Sequence, residues 1–190
     1  MSLFLYAGPS SPNCLTANDQ TACGYHCLAA HGTVACAQTT AGVCAAVGNT
    51  VACWDPPDVV RAHYGDQVPR PQCRYAGGNF ACGYHCTIQD DQVACASTPD
   101  GVCQTTYRGI TCWDPPTNDY CSADQNPLPR ASCIANDGDI ACGYSCIEHS
   151  GQVACAQNPG GTCKVVRDQI SCWDPGVAYC GSSAPTTATR

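Results

Sequence analysis

Cysteine spacing constrains this chain more than any other feature of its sequence: eighteen of its twenty cysteines form nine consecutive C-x8-C pairs. Twenty cysteines in 190 residues exceed the 10% level that marks a disulfide scaffold in small secreted domains. Leu, Ile, Val and Phe number only 26, about 14% of the chain, below the roughly 20% at which chains tend toward disorder. The sequence therefore predicts a fold that disulfides hold together.

The nine pairs group into three tandem copies of one module, at residues 14–57, 73–116 and 133–176, which align without a gap. Each copy carries Ala-Cys-Gly-Tyr, then Val-Ala-Cys-Ala, and closes with Cys-Trp-Asp. The remaining segments are an N-terminal strand or extension, two linkers and a C-terminal tail, at 1–13, 58–72, 117–132 and 177–190.

Turn-forming residues lie midway between the cysteines of most pairs, as at Asp137-Gly138. Such residues favour the two-residue turns of β-hairpins. Counting outward from this turn places Cys133 opposite Cys142 in a non-hydrogen-bonded pair, where Cα atoms are about 4.5 Å apart and a disulfide fits. Each C-x8-C pair is therefore predicted to staple one hairpin. The predicted disulfides are 14/23, 27/36, 44/53, 73/82, 86/95, 103/112, 133/142, 146/155 and 163/172, that is Cys14, Cys23, Cys27, Cys36, Cys44, Cys53, Cys73, Cys82, Cys86, Cys95, Cys103, Cys112, Cys133, Cys142, Cys146, Cys155, Cys163 and Cys172.

The predicted fold class is all-β, small and disulfide-rich: three tandem modules of three stapled hairpins, each a β-meander, with little or no helix. Gly101 follows Thr98-Pro99-Asp100 between the second and third hairpins, and it is predicted to be left-handed, as are Gly42 and Gly161. Tyr107-Arg108 and Arg167-Asp168 are poor residues for a type I′ turn, which predicts a looser or bulged turn in the third hairpin. Proline-containing linkers are predicted to be extended and semi-rigid, so that the modules form a rod.

Charge and motif content exclude several classes of function. The net charge is −7 and Lys164 is the only lysine, which argues against a nucleic-acid partner. No apolar run approaches the roughly 20 residues that a membrane-spanning helix needs. The first eight residues lack the basic and apolar regions of a signal peptide, so an extracellular or cell-surface location is inferred from cysteine content alone. Without G-x-S-x-G, H-E-x-x-H or a phosphate-binding loop, we expect neither an enzyme nor a cofactor.

One tyrosine and one tryptophan recur at equivalent positions of every module, and they are the candidate binding residues. One interpretation is that each Tyr and Trp stack on a sugar ring or a partner protein; the other is that they supply packing mass beside the disulfides. The candidates are Tyr25, Trp54, Tyr84, Trp113, Tyr144 and Trp173.

Two cysteines, Cys121 and Cys180, stand outside the hairpins. They are predicted to bond to one another or, alternatively, to cross-link chains into oligomers or fibres. A metal site at His26 and His85, each next to cysteines, is disfavoured because the third module has Ser145 at this position. No metal is therefore predicted unless the cysteines are reduced.

The sequence is thus most typical of a non-enzymatic extracellular structural or adhesive protein that can assemble with itself into fibres. One alternative is a trivalent module that binds a surface glycan or protein with its aromatic residues. A second alternative, for reduced cysteines, is a protein that binds or stores metal.

Overall fold

A computed structural model describes residues 11–116 and 130–175, and the regular structure there is almost all antiparallel β. Each module contributes five strands. Module 1 has β1 (Asn13–Ala17), β2 (Gln20–Ala30), β3 (Thr33–Ala37), β4 (Val43–Val47) and β5 (Thr50–Trp54). Module 2 has β6 (Gln72–Ala76), β7 (Asn79–Gln89), β8 (Gln92–Ala96), β9 (Val102–Thr106) and β10 (Gly109–Trp113). Module 3 has β11 (Ser132–Asn136), β12 (Asp139–His149), β13 (Gln152–Ala156), β14 (Thr162–Val166) and β15 (Gln169–Trp173).

Nine disulfides staple the hairpins, one in each, and they join the cysteines that the C-x8-C spacing pairs. In the first hairpin Cys14 lies directly opposite Cys23 in the strand register. Their Cα atoms are 4.0 Å apart, closer than the 4.5 Å typical of such a pair. The predicted fold class is therefore confirmed, while Cys121 and Cys180 lie outside the described residues.

Each module divides into a three-stranded sheet and a separate two-stranded sheet. The first two hairpins share one eleven-residue strand, β2 in module 1, and the third hairpin pairs only with itself. The register of the shared strand against β3 shifts between Tyr25 and Leu28, and this shift identifies a β-bulge in β2. His26 occupies the bulge with φ 50°, a left-handed conformation.

The glycine of the Cys-Gly-Tyr motif makes this bulge feasible. Gly24 has φ 157°, and a Cβ there would lie 2.3 Å from the carbonyl oxygen of Ala37. Gly83 and Gly143 meet the equivalent carbonyl at 2.4 and 2.2 Å. Because any side chain would collide with backbone, the motif marks the place where the chain passes from the first hairpin to the second.

The prediction that Gly42, Gly101 and Gly161 are left-handed is wrong, since none of them has a positive φ. A hydrogen bond from the Gly101 N–H to the Thr98 carbonyl, 3.1 Å long, does close the expected turn. Glycine is needed there for space: a Cβ would lie 2.3 Å from Asp114 Oδ1.

The third hairpins of modules 2 and 3 differ from one another in the conformation of their turns. Arg167 and Asp168 have φ of 48° and 66° and form a two-residue turn between the paired residues Val166 and Gln169, so the prediction of a looser or bulged turn is wrong there. Between β9 and β10 neither central residue has a positive φ, and the following Gly109 takes φ 126° instead.

The linker 58–72 is not wholly extended as predicted, because it contains a short helix, α1 (Asp58–Tyr64), and a 3-10 turn (Gly65–Gln67). Val60 is fully buried against Val59, Tyr64 and Val68. The Tyr64 hydroxyl donates to Asp100 Oδ2 at 2.6 Å, which ties the linker to module 2. Burial, together with this carboxylate, raises the pKa of Tyr64 above its usual range. Seven residues are too few to show a helical period in the sequence.

Candidate functional site at the module junctions

Aromatic rings meet across the junctions between modules. Trp54 and Tyr84 have ring centroids 5.6 Å apart with an interplanar angle of 84°, and Trp113 and Tyr144 have 5.6 Å and 87°. These are edge-to-face contacts, a favourable arrangement for aromatic pairs. The tryptophan of one module thus packs on the tyrosine of the next module.

The junction between modules 1 and 2 is apolar. The β4–β5 hairpin brings Val43 and Ala45 onto Cys73 of β6, and Trp54, Phe80 and Cys82 pack around this cluster. Ala45 is 1% exposed and Cys73 is 3% exposed. Small side chains and a disulfide therefore form the core that joins two modules.

The junction between modules 2 and 3 adds polar contacts. Trp113 Nε1 donates to Gln157 Oε1 at 2.9 Å, and the Tyr107 hydroxyl donates to the Asp137 carbonyl at 2.8 Å. Arg108 Nη1 lies 3.1 Å from Asp139 Oδ1, with both side chains exposed. Such an exposed ion pair contributes at most about 1 kcal/mol, so it orients the turn more than it stabilises it.

Burial at the junctions decides which aromatic residues a ligand could reach. Tyr84 and Tyr144 are 4% and 5% exposed, whereas Trp173 is 63% exposed. Burial raises the pKa of Tyr84 to about 12. The hydroxyl of Tyr84 has no hydrogen-bond partner in the described part of the chain. Of the six candidate binding residues, Trp173 is the one whose ring is mostly open to solvent.

The aspartate of each Cys-Trp-Asp motif fastens the third hairpin to the second. Asp114 Oδ2 accepts from the Ser97 N–H at 2.9 Å, and its Oδ1 accepts from the Thr98 N–H and hydroxyl at 2.7 and 2.8 Å. Asp55 makes the same three bonds in module 1, and Asp174 accepts from two backbone N–H groups in module 3. No local pattern in the sequence indicates this long-range role, and the recurrence of the aspartate in all three modules was the available signal.

Replacing Asp114 by alanine is expected to lower the free energy of unfolding by about 2 kcal/mol, because Thr98, only 5% exposed, keeps two donors without their acceptor. The exposed Asp91→Ala variant is the matched control and should change stability by less than about 0.5 kcal/mol. Guanidinium denaturation of the oxidised proteins measures both. Equal losses in the two variants would contradict the role of the carboxylate.

The histidines of the bulge bind backbone in the described structure. His26 Nε2 lies 2.9 Å from the Thr40 carbonyl and His85 Nε2 lies 2.8 Å from the Pro99 carbonyl. In module 3 the Ser145 hydroxyl donates to the Gly161 carbonyl at 2.8 Å. The three side chains therefore share one structural task, to tie the bulge to the turn that precedes the third hairpin. Within residues 11–116 and 130–175 no group of three or more His, Cys, Asp or Glu side chains is placed to hold a metal ion.

An open groove recurs at equivalent positions of modules 2 and 3. In module 3 it has a volume of about 470 Å³ and is lined by Ile140, Val153 and Ile170. In module 2 it has a volume of about 380 Å³ and is lined by Phe80, Val93 and Ile110. Both grooves are shallow surfaces.

Comparison with protein families, with curated protein sequences and with solved structures found no match to this chain. Among the described residues, no helix has the length and apolar character needed to cross a membrane.

Proposed function

We propose that this chain is a non-enzymatic extracellular protein with a structural or adhesive role, and that it assembles with itself into fibres. The observation that supports this most is the disulfide in every hairpin, combined with direct packing of each module on the next. Disulfides persist in oxidising compartments outside the cytosol. A stapled array of this kind resists heat and proteases, which suits a structural component of a surface.

Labelling of intact producing cells with an antibody against the chain, with non-reducing electrophoresis and electron microscopy of the labelled material, tests this role. We expect antibody access without permeabilisation and extended assemblies in the surface fraction. Reducing electrophoresis of the same fraction is the control for covalent cross-links through Cys121 and Cys180. A chain found only in the cytosol, with its cysteines reduced, would contradict the proposal and favour metal storage.

The repeated groove favours a second candidate function, a multivalent module that binds a surface glycan or protein. Equivalent weak sites on one rigid array would bind through avidity. A glycan array probed with the oxidised chain tests it, with Gln92→Ala and Gln152→Ala at the groove rims as variants. Absence of binding, or binding that neither variant weakens, argues against this function.

A further inference from the structure

The last hairpin of the described structure exposes the surface that the other two third hairpins bury. β14–β15 is the repeat equivalent of β4–β5 and β9–β10, each of which lies against the following module. In β14–β15, however, Val166 is 54% exposed and Trp173 is 63% exposed. We name the surface formed by Lys164, Val166, Arg167 and Trp173 the trailing face.

The first sheet of module 1 exposes the complementary surface. Cys14 and Cys23 are exposed, although the equivalent Cys73 is only 3% exposed beneath module 1. Tyr25 is half-buried, whereas the equivalent Tyr84 is 4% exposed under Trp54. We name the surface formed by Cys14, Asp19, Cys23, Tyr25 and Gln38 the leading face.

We infer that the trailing face of one chain binds the leading face of a second copy, so that chains join head to tail through a contact that continues the internal junctions. The contact is heterologous, and a heterologous contact that does not close into a ring propagates into a filament. This inference deepens the proposed fibre-forming role and rests on it. The partner is therefore the same protein, and the arrangement of its surfaces is the one that the chain already uses twice.

The first line of support is an acceptor already oriented for the exposed indole. At the internal junction Gln157 accepts from Trp113 Nε1, while its own Nε2 donates to the Cys155 carbonyl at 3.2 Å. Gln38 is the equivalent residue on the leading face, and its Nε2 donates to the Cys36 carbonyl at 3.3 Å. Gln157 Nε2 also donates to the Cys142 carbonyl at 3.4 Å, so the Gln38 amide keeps one of the two bonds that orient Gln157. Its Oε1 can accept from Trp173 of a second copy.

The second line of support is charge. At the junction of modules 2 and 3, a Cβ placed on Gly138 would lie 2.5 Å from the ring of Tyr107, so side chains at these two repeat positions face one another. The equivalent residues on the leading and trailing faces are Asp19 and Arg167. Within the chain Gly138 faces Tyr107. Between chains the acidic side chain of Asp19 would face the basic side chain of Arg167.

The composition of the two faces predicts that this contact is weak and reversible. Thr21 on the leading side takes the place of Phe80, and Lys164 on the trailing face takes the place of Ala45. The contact therefore buries less apolar surface than the internal one. The contact between chains also has no linker. Within one chain, the linker holds each module near the next at an effective concentration of about 1 mM. We expect association at roughly millimolar concentration in solution, and more readily where chains are crowded on a surface.

Sedimentation velocity of the full oxidised chain at up to about 1 mM, with any free thiols blocked by alkylation, tests the contact. Wild-type protein is expected to form elongated oligomers. Trp173→Ala should weaken association by at least about tenfold without unfolding the chain, because it removes the central aromatic side chain. Arg167→Glu and Asp19→Lys should each weaken association about fivefold when alone. Mixed together, these two variants should recover, because every contact then pairs opposite charges.

A wild-type chain that stays monomeric at 1 mM, or oligomers that Trp173→Ala and both charge variants leave unchanged, would overturn the inference. Association that both charge variants weaken but that their mixture does not restore would overturn the head-to-tail pairing. A monomeric chain found on the cell surface leaves the structural role standing without this contact. A chain that associates in this way but is found only in the cytosol would leave the contact standing and contradict the extracellular structural role.

Discussion

Reduction of the disulfides should unfold all three modules at room temperature without denaturant. A disulfide that closes a loop of about ten residues contributes roughly 2.7 kcal/mol by restricting the unfolded chain. Nine of them contribute up to about 24 kcal/mol, or about 8 kcal/mol in each module, which is as large as the 5–15 kcal/mol that typically stabilises a folded domain. Loss of the β-sheet circular dichroism signal on addition of a phosphine reductant measures this.

The order of reduction provides an internal control. Cys14–Cys23 and Cys73–Cys82 close loops of the same length, but the first pair is exposed and Cys73 is 3% exposed under module 1. Limited reduction followed by alkylation and peptide mapping should therefore find Cys14–Cys23 open before Cys73–Cys82. A chain that keeps its β-sheet signal after complete reduction would show that packing alone maintains the fold.

Truncating Trp113 should cost about 3 kcal/mol of unfolding free energy, whereas the same truncation at Trp173 should cost less than about 0.5 kcal/mol. Trp113 packs on Tyr144 and donates its indole N–H to Gln157, and both contacts disappear in Trp113→Ala. Trp173 holds the same place in the repeat and is 63% exposed. The difference between the two variants therefore reports the junction alone.

Guanidinium denaturation of the oxidised variants at low protein concentration, where chains are separate, measures both values. Trp113→Phe is the conservative variant, because it keeps one aromatic ring against Tyr144 while it loses the second ring of the indole and its N–H donor; it should recover part of the stability. Equal losses at Trp113 and Trp173 would mean that the junction contributes nothing beyond the module itself.

The hairpins could be predicted from the sequence because everything that determines them is local. Turn residues such as Asp137-Gly138 set the register, and the register places Cys133 opposite Cys142. The contacts that organise hairpins into modules could not be predicted in this way. Asp114 reaches Thr98 across sixteen residues, and no local pattern identifies an acceptor at that distance.

Module stacking was also beyond local reasoning. A tyrosine and a tryptophan in each copy suggested one site per module, but the ring of Trp54 lies on Tyr84 of the following copy. The sequence carried a signal for this, because an apolar face repeated at a fixed interval is buried most simply by the neighbouring repeat. The linker helix gave no comparable signal, since only Val60 is fully buried in its seven residues.

The central claim is that one disulfide staples each of the nine hairpins, and intact-mass spectrometry with peptide mapping of the unreduced, alkylated protein tests it most directly. The account predicts a loss of two hydrogens for each of these nine disulfides, no alkylation at their eighteen cysteines, and peptides that pair each cysteine with its C-x8-C partner. A mass equal to that of the fully reduced chain, with these cysteines alkylated, would contradict it, as would disulfides that cross between hairpins.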